Sequence, residues 1–233
     1  MSPWLLLQMV GLPLAWLALL YGLREPLYDF WRSYLLTWAQ WLQLPLVPAD
    51  IASRQDLLGL SWSPGASDLG LSTTTGAALA AVVVVVAWGL SLRLRGRWLP
   101  AQYLVRVLCV VQALALLYFW FAPMPFPHQL LSHAVDLLDA GYLLMLSIPV
   151  LMALGYYPLQ ISWQAKVVHT LLILMFFGVM VPQQALVHLL ILQHLSVVFM
   201  PVLYLCFGAL FDMMVFVALY AWAASTAPLS ATH

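Results

Sequence analysis

Five histidines fall between positions 128 and 194, namely His128, His133, His169, His188 and His194, and two methionines, Met124 and Met180, stand near them. Imidazole and thioether together suit copper better than a hard cation, which would want oxygen ligands. His128, His133, His188 and His194, with Met124 and Met180 assisting, are therefore the candidate metal ligands. Spacing qualifies the set. His188 and His194 are six residues apart and point about 120° from one another on one helix, so a single ion needs a partner helix to reach both. Gln184 and His188 share a helical face, as do His133 and Asp136, where the carboxylate could orient the imidazole from behind. The competing reading is that each histidine fastens one helix to the next by a hydrogen bond. A third reading pairs His169 and His194, nearly equidistant from Pro182, across a hairpin around a haem. Other chemistry has less support. Cys109 and Cys206 lie in apolar runs, where a free thiol behaves as a small buried hydrophobe, and no Gly-rich phosphate loop or His-Glu-x-x-His motif occurs. No catalytic residue is assigned, and the chain reads as non-enzymatic.

The elements that position these side chains are membrane helices. The sequence is 65% hydrophobic and 7% charged, against roughly half and a quarter in soluble domains. Several runs approach or exceed the roughly 20 apolar residues that cross a hydrocarbon core. Ionisable groups inside such runs (Arg106, His133, Asp136, Asp139, His169, His188, His194 and Asp212) are costly there and default to functional candidates. Arg106 sits close enough to a helix end to snorkel, and Asp212 could partner a backbone break near Gly208. With zero formal net charge and no basic tail, nucleic acid has no electrostatic foothold. The expected partners are the lipid bilayer and another membrane protein.

In chain order, residues 1–23 form the first spanning helix, with Pro13 tolerated inside it. Residues 24–75 form an extracytoplasmic segment that begins with an interfacial helix carrying Trp31, Tyr34, Trp38 and Trp41 on one face. Residues 76–233 form the helix bundle. Arg93, Arg95 and Arg97 lie in the shortest, most basic loop, so the positive-inside rule makes that loop cytoplasmic, as it does the N-terminus of a multi-pass inner-membrane protein. An internal repeat organises the bundle. Pro127, Gln129, Leu131 and His133 recur in register about 55 residues later in Pro182, Gln184, Leu186 and His188. The repeat predicts two tandem helical hairpins, 113–145 and 168–200, with parallel orientation and turns at Pro123–Pro127 and Pro182 on the extracytoplasmic side. The expected fold is an all-α polytopic bundle of about six transmembrane helices, with seven as the alternative.

Two stretches add a family resemblance. His188-Leu189-Leu190-Ile191-Leu192-Gln193-His194-Leu195-Ser196 looks like the late helix of the CtaG-type cytochrome c oxidase assembly factors, in which a His is followed by Gln-His-Leu-Ser. Pro149-Val150-Leu151-Met152-Ala153-Leu154-Gly155, followed by Pro158, resembles that family's Pro-Leu-Leu-x-Leu-Gly-x-Pro segment. His128 and His133 stand ahead of it as the family's two histidines do, although five residues apart instead of four, and Met180-Val181-Pro182 stands where the family has His-x-Pro. The resemblance covers the second half of the chain. It implies a copper-handling chaperone at the extracytoplasmic face, accessory to respiratory oxidase assembly. The alternative is a non-catalytic membrane subunit or accessory of an envelope protein sorting or export complex.

Overall fold

A chain this apolar must satisfy its backbone polar groups within each element, and the α-helix does so with no partner strand. The computed structural model describes residues 3–48, 58–62, 73–121, 130–156 and 162–226. They form α1 (Pro3–Gly22), α2 (Arg24–Trp41), a two-stranded antiparallel ladder of β1 (Leu46–Pro48) and β2 (Leu60–Trp62), α3 (Thr73–Ser91), α4 (Leu99–Phe121), α5 (Leu130–Tyr156) and α6 (Trp163–His194). A short helix α7 (Met200–Tyr204) then runs through a π-helical turn, Leu205–Ala209, into α8 (Leu210–Ser225). The fold is thus an all-α bundle with one small ladder. Among the described residues five stretches, 74–91, 96–121, 130–156, 163–194 and 197–225, are long and apolar enough to cross a membrane, which defines a multi-pass membrane protein. Large apolar side chains cover the outside, Val82, Val85 and Val86 of α3 among them, as lipid contact requires.

The core lies where α5 and α6 pair as an antiparallel hairpin, with α1 against α5 and α2 against α6. Gly141 makes the close approach possible, since a Cβ there would overlap the Val181 methyls. α3 and α4 form a second pair. It is joined to the first through the 195–204 region, where Gln112 of α4 donates to the Val198 carbonyl at 2.9 Å and Ser196 packs where Gly76 of α3 lacks a side chain.

Three expectations are corrected. The chain does not turn at Pro182, because α6 passes through it as one helix of 32 residues. Proline removes the N–H that would have served the carbonyl four residues back, and here that carbonyl, Gly178, accepts instead from the indole Nε1 of Trp31 at 2.8 Å. The turn comes at Leu195–Ser196. Ser196 has extended backbone and its hydroxyl accepts from the Val198 amide, while Pro201 sits in the first turn of α7, the residue types that start a helix.

Residues 113–145 and 168–200 are consequently not equivalent hairpins. The first contains two helices, the second lies mostly in one, and the stretches carrying His133 and His188 run antiparallel in the α5–α6 pair.

The aromatic stripe of α2 also divides. Trp31 is fully buried and belongs to a packing face with Tyr28, Leu35 and Ala39, whereas Trp38 and Trp41 are exposed. The rings of Phe30, Tyr34 and Trp38 follow one another at 6.2 Å along the outer side.

Candidate functional site

His133 is the fourth residue of α5 and His188 lies in the last turns of α6, so the antiparallel hairpin brings them to the same level. Nε2 of His133 stands 3.2 Å from Nδ1 of His188, with the rings stacked at 18° and 5.4 Å between centroids. Both are buried. The ring of Tyr204 in α7 closes over His133 at 5.6 Å.

A backbone break supplies the next partner. Gly208 has φ −97° and ψ −122°, outside helical values, within the π-helical turn, and such turns free carbonyls from the regular ladder. The Phe207 carbonyl accepts from Nε2 of Gln184 and lies beside the His188 side chain. Gln184 also lies beside Asp212. His133, His188, the Phe207 carbonyl, Gln184 and Asp212 thus form one buried polar cluster, contributed by α5, α6, the π-turn and α8.

The remaining candidates are placed apart. His194 ends α6 and is exposed. Met180 lies eight residues before His188 on the same helix, about 12 Å along its axis, and packs partly buried against the core. Met124 and His128 lie outside the described residues. Asp136 is exposed, and the imidazole of His133 meets His188. Asp139 accepts from Tyr28 at 2.6 Å, tying α2 to α5.

His169 belongs to the other end of the hairpin. Its Nδ1 is 3.2 Å from the Tyr156 hydroxyl and its Nε2 is 3.4 Å from the Thr226 hydroxyl. Both nitrogens are thus engaged in holding α5, α6 and the end of α8 together. His169 and His194 lie 25 positions apart on one continuous helix, some 37 Å by helical rise, so the bis-His haem pairing has no hairpin to form it. Arg106 stacks on Trp88 at 5.6 Å, and Cys109 and Cys206 are free and buried.

Two imidazole nitrogens bound to one tetrahedral ion at about 2.0 Å stand roughly 3.3 Å apart, so the separation of His133 and His188 suits a shared ion. Among the described residues no group of three or more His, Cys, Asp or Glu side chains could hold a metal. The described part of the site is therefore a two-imidazole pair, beside the start of α5. Residues missed from sequence are Tyr204 and the Phe207 carbonyl. The available signal was Gly208, a glycine within an apolar run, where the backbone breaks and Leu137 packs close.

No family model, no curated protein and no solved structure matches the chain.

Proposed function

We propose that this is a non-enzymatic membrane protein that handles copper at its extracytoplasmic face, as an accessory to respiratory oxidase assembly. The observation that carries the reading is the meeting of His133 and His188, two buried imidazoles from separate helices, at 3.2 Å. Imidazole is a ligand for copper, and the thioether of Met124 would favour the reduced ion, whereas Met180 lies too far along α6 from His188 to share it. His128 precedes α5 by two residues and is the nearest further ligand in sequence. Sidedness follows from Arg93, Arg95 and Arg97 between α3 and α4: with that loop cytoplasmic and α1 counted as a sixth span, the His133 end of the hairpin faces outward and the N-terminus inward. Moving the turn from Pro182 to Leu195 leaves this sidedness unchanged.

A second reading is favoured by a specific observation. His133 and His188 already hydrogen-bond each other and His188 already meets Phe207, which is how helix-fastening histidines in a non-catalytic subunit of a sorting or export complex would behave. The readings separate on metal content. Purified protein given Cu(I) under reducing conditions should retain copper, and His188→Ala should lower the stoichiometry or affinity while His169→Ala does not. Equal retention by both variants, or none in the parent, selects the fastening role.

A further inference from the structure

The guanidinium of Arg24, where α1 gives way to α2, lies 5.8 and 5.7 Å from the ring centroids of Tyr28 and Tyr142. The Tyr142 hydroxyl in turn donates to the Leu20 carbonyl at 3.2 Å, which fixes that ring. Arg24 makes no hydrogen bond or ion pair with a described residue. Its inner nitrogen Nε is enclosed, but the side chain is partly exposed, so the terminal nitrogens are what it offers to a ligand. Beyond Tyr28, whose hydroxyl donates to Oδ1 at 2.6 Å, stands the exposed carboxylate of Asp139. One tyrosine thus carries a cation at its ring and an anion at its hydroxyl, and the two charges do not pair. Glu25 and Asp29, the neighbouring carboxylates of α2, are exposed and likewise make no ion pair with Arg24.

These charges stand at a boundary. The exposed residues of α5 are Ser132, Asp136 and Asp139, then Leu143, Val150 and Leu154, so this face changes from polar to apolar within one turn. The apolar part of α1 ends at Gly22, and α2 exposes Phe30, Trp38 and Trp41, in keeping with the aromatic belt at a membrane–water interface. We propose that Arg24 and Asp139 bind the phosphoethanolamine headgroup of a phospholipid, in the leaflet at the His133 end of the hairpin. The guanidinium takes the phosphate, which its fork of donors suits, and the carboxylate accepts from the primary ammonium. A headgroup that is only anionic meets repulsion from Asp139, and choline has no N–H to donate to it. The acyl chains lie along the apolar surface that begins at the exposed Leu143. The site does not depend on copper.

The test uses the purified full chain in detergent micelles and native mass spectrometry, with dioleoyl phosphatidylethanolamine, phosphatidylglycerol and phosphatidylcholine as probes of equal chain. Phosphatidylethanolamine should be retained over both others. Glycerophosphoethanolamine, which has the headgroup without the chains, should fail to displace it at equal concentration, and displacement would overturn the lipid as the source. Arg24→Gln should lower retention about tenfold or more, the size of a lost hydrogen bond between charged groups. Asp139→Asn keeps an acceptor for Tyr28 and should abolish the preference over phosphatidylglycerol while lipid still binds, which decides the matter if Arg24→Gln fails to fold. Equal retention of the three lipids, or an unchanged preference in the Asp139→Asn protein, overturns the proposal.

Discussion

The indole of Trp31 donates to the carbonyl of Gly178 at 2.8 Å across 147 positions of sequence, and Gly178 is the residue whose helical donor Pro182 removes. This one bond lets α6 continue to His194 and so carries His188 to the level of His133. If Trp31 compensates Pro182, the two are energetically coupled. Trp31→Phe should destabilise the protein by about 1–3 kcal/mol, the cost of leaving a buried acceptor unserved. In a Pro182→Ala background, where residue 182 regains its N–H, the same substitution should cost clearly less. Thermal or denaturant unfolding in detergent measures both, and equal costs in the two backgrounds would mean the indole only fills space.

A second coupling ties α2 to α5. Burial, and after it the hydrogen bond to Asp139, push the Tyr28 hydroxyl up from its ordinary range. A group whose pKa is raised on folding stabilises the fold fully below its unfolded value, about 10 for tyrosine, and loses that contribution as pH climbs toward the folded value. The Tyr28 contribution should therefore be independent of pH near neutrality and fall away with alkali above about pH 10. Tyr28→Phe should flatten that alkaline limb, as read from unfolding curves. An identical alkaline slope in the variant would remove Tyr28 as its source.

Sidedness rests on the arginine loop. The native cysteines are buried, so a Ser67→Cys protein carries one reactive thiol. That thiol should be labelled by an impermeant maleimide in intact spheroplasts, and labelling only after lysis would invert the orientation.

Much of the architecture is legible in composition, because long apolar runs have one solution in hydrocarbon. The turn at Pro182 was misread for a physical reason: a proline breaks a helix only when nothing else serves the freed carbonyl, and the donor here comes from α2. The real break at Leu195–Ser196 is inconspicuous, since Ser196 is one small polar residue within an apolar run. His133 and His188 stood out as ionisable groups in membrane helices. They meet through the antiparallel α5–α6 pair, however, and the 55-residue repeat that suggested them does not describe the helices. Asp212 was readable as the partner of a break near Gly208 and reaches it through Gln184. That Gln184 would serve as the link depended on α6 running past Pro182.

The claim that His133 and His188 together receive copper is tested most directly by X-ray absorption of the Cu(I)-loaded protein. Two imidazole nitrogens are expected at about 2 Å, reduced to one in His133→Ala and again to one in His188→Ala, with weaker loading in acid because protons compete for the same nitrogens. Spectra unchanged by both substitutions, or a protein that retains no copper under reducing conditions, would contradict it.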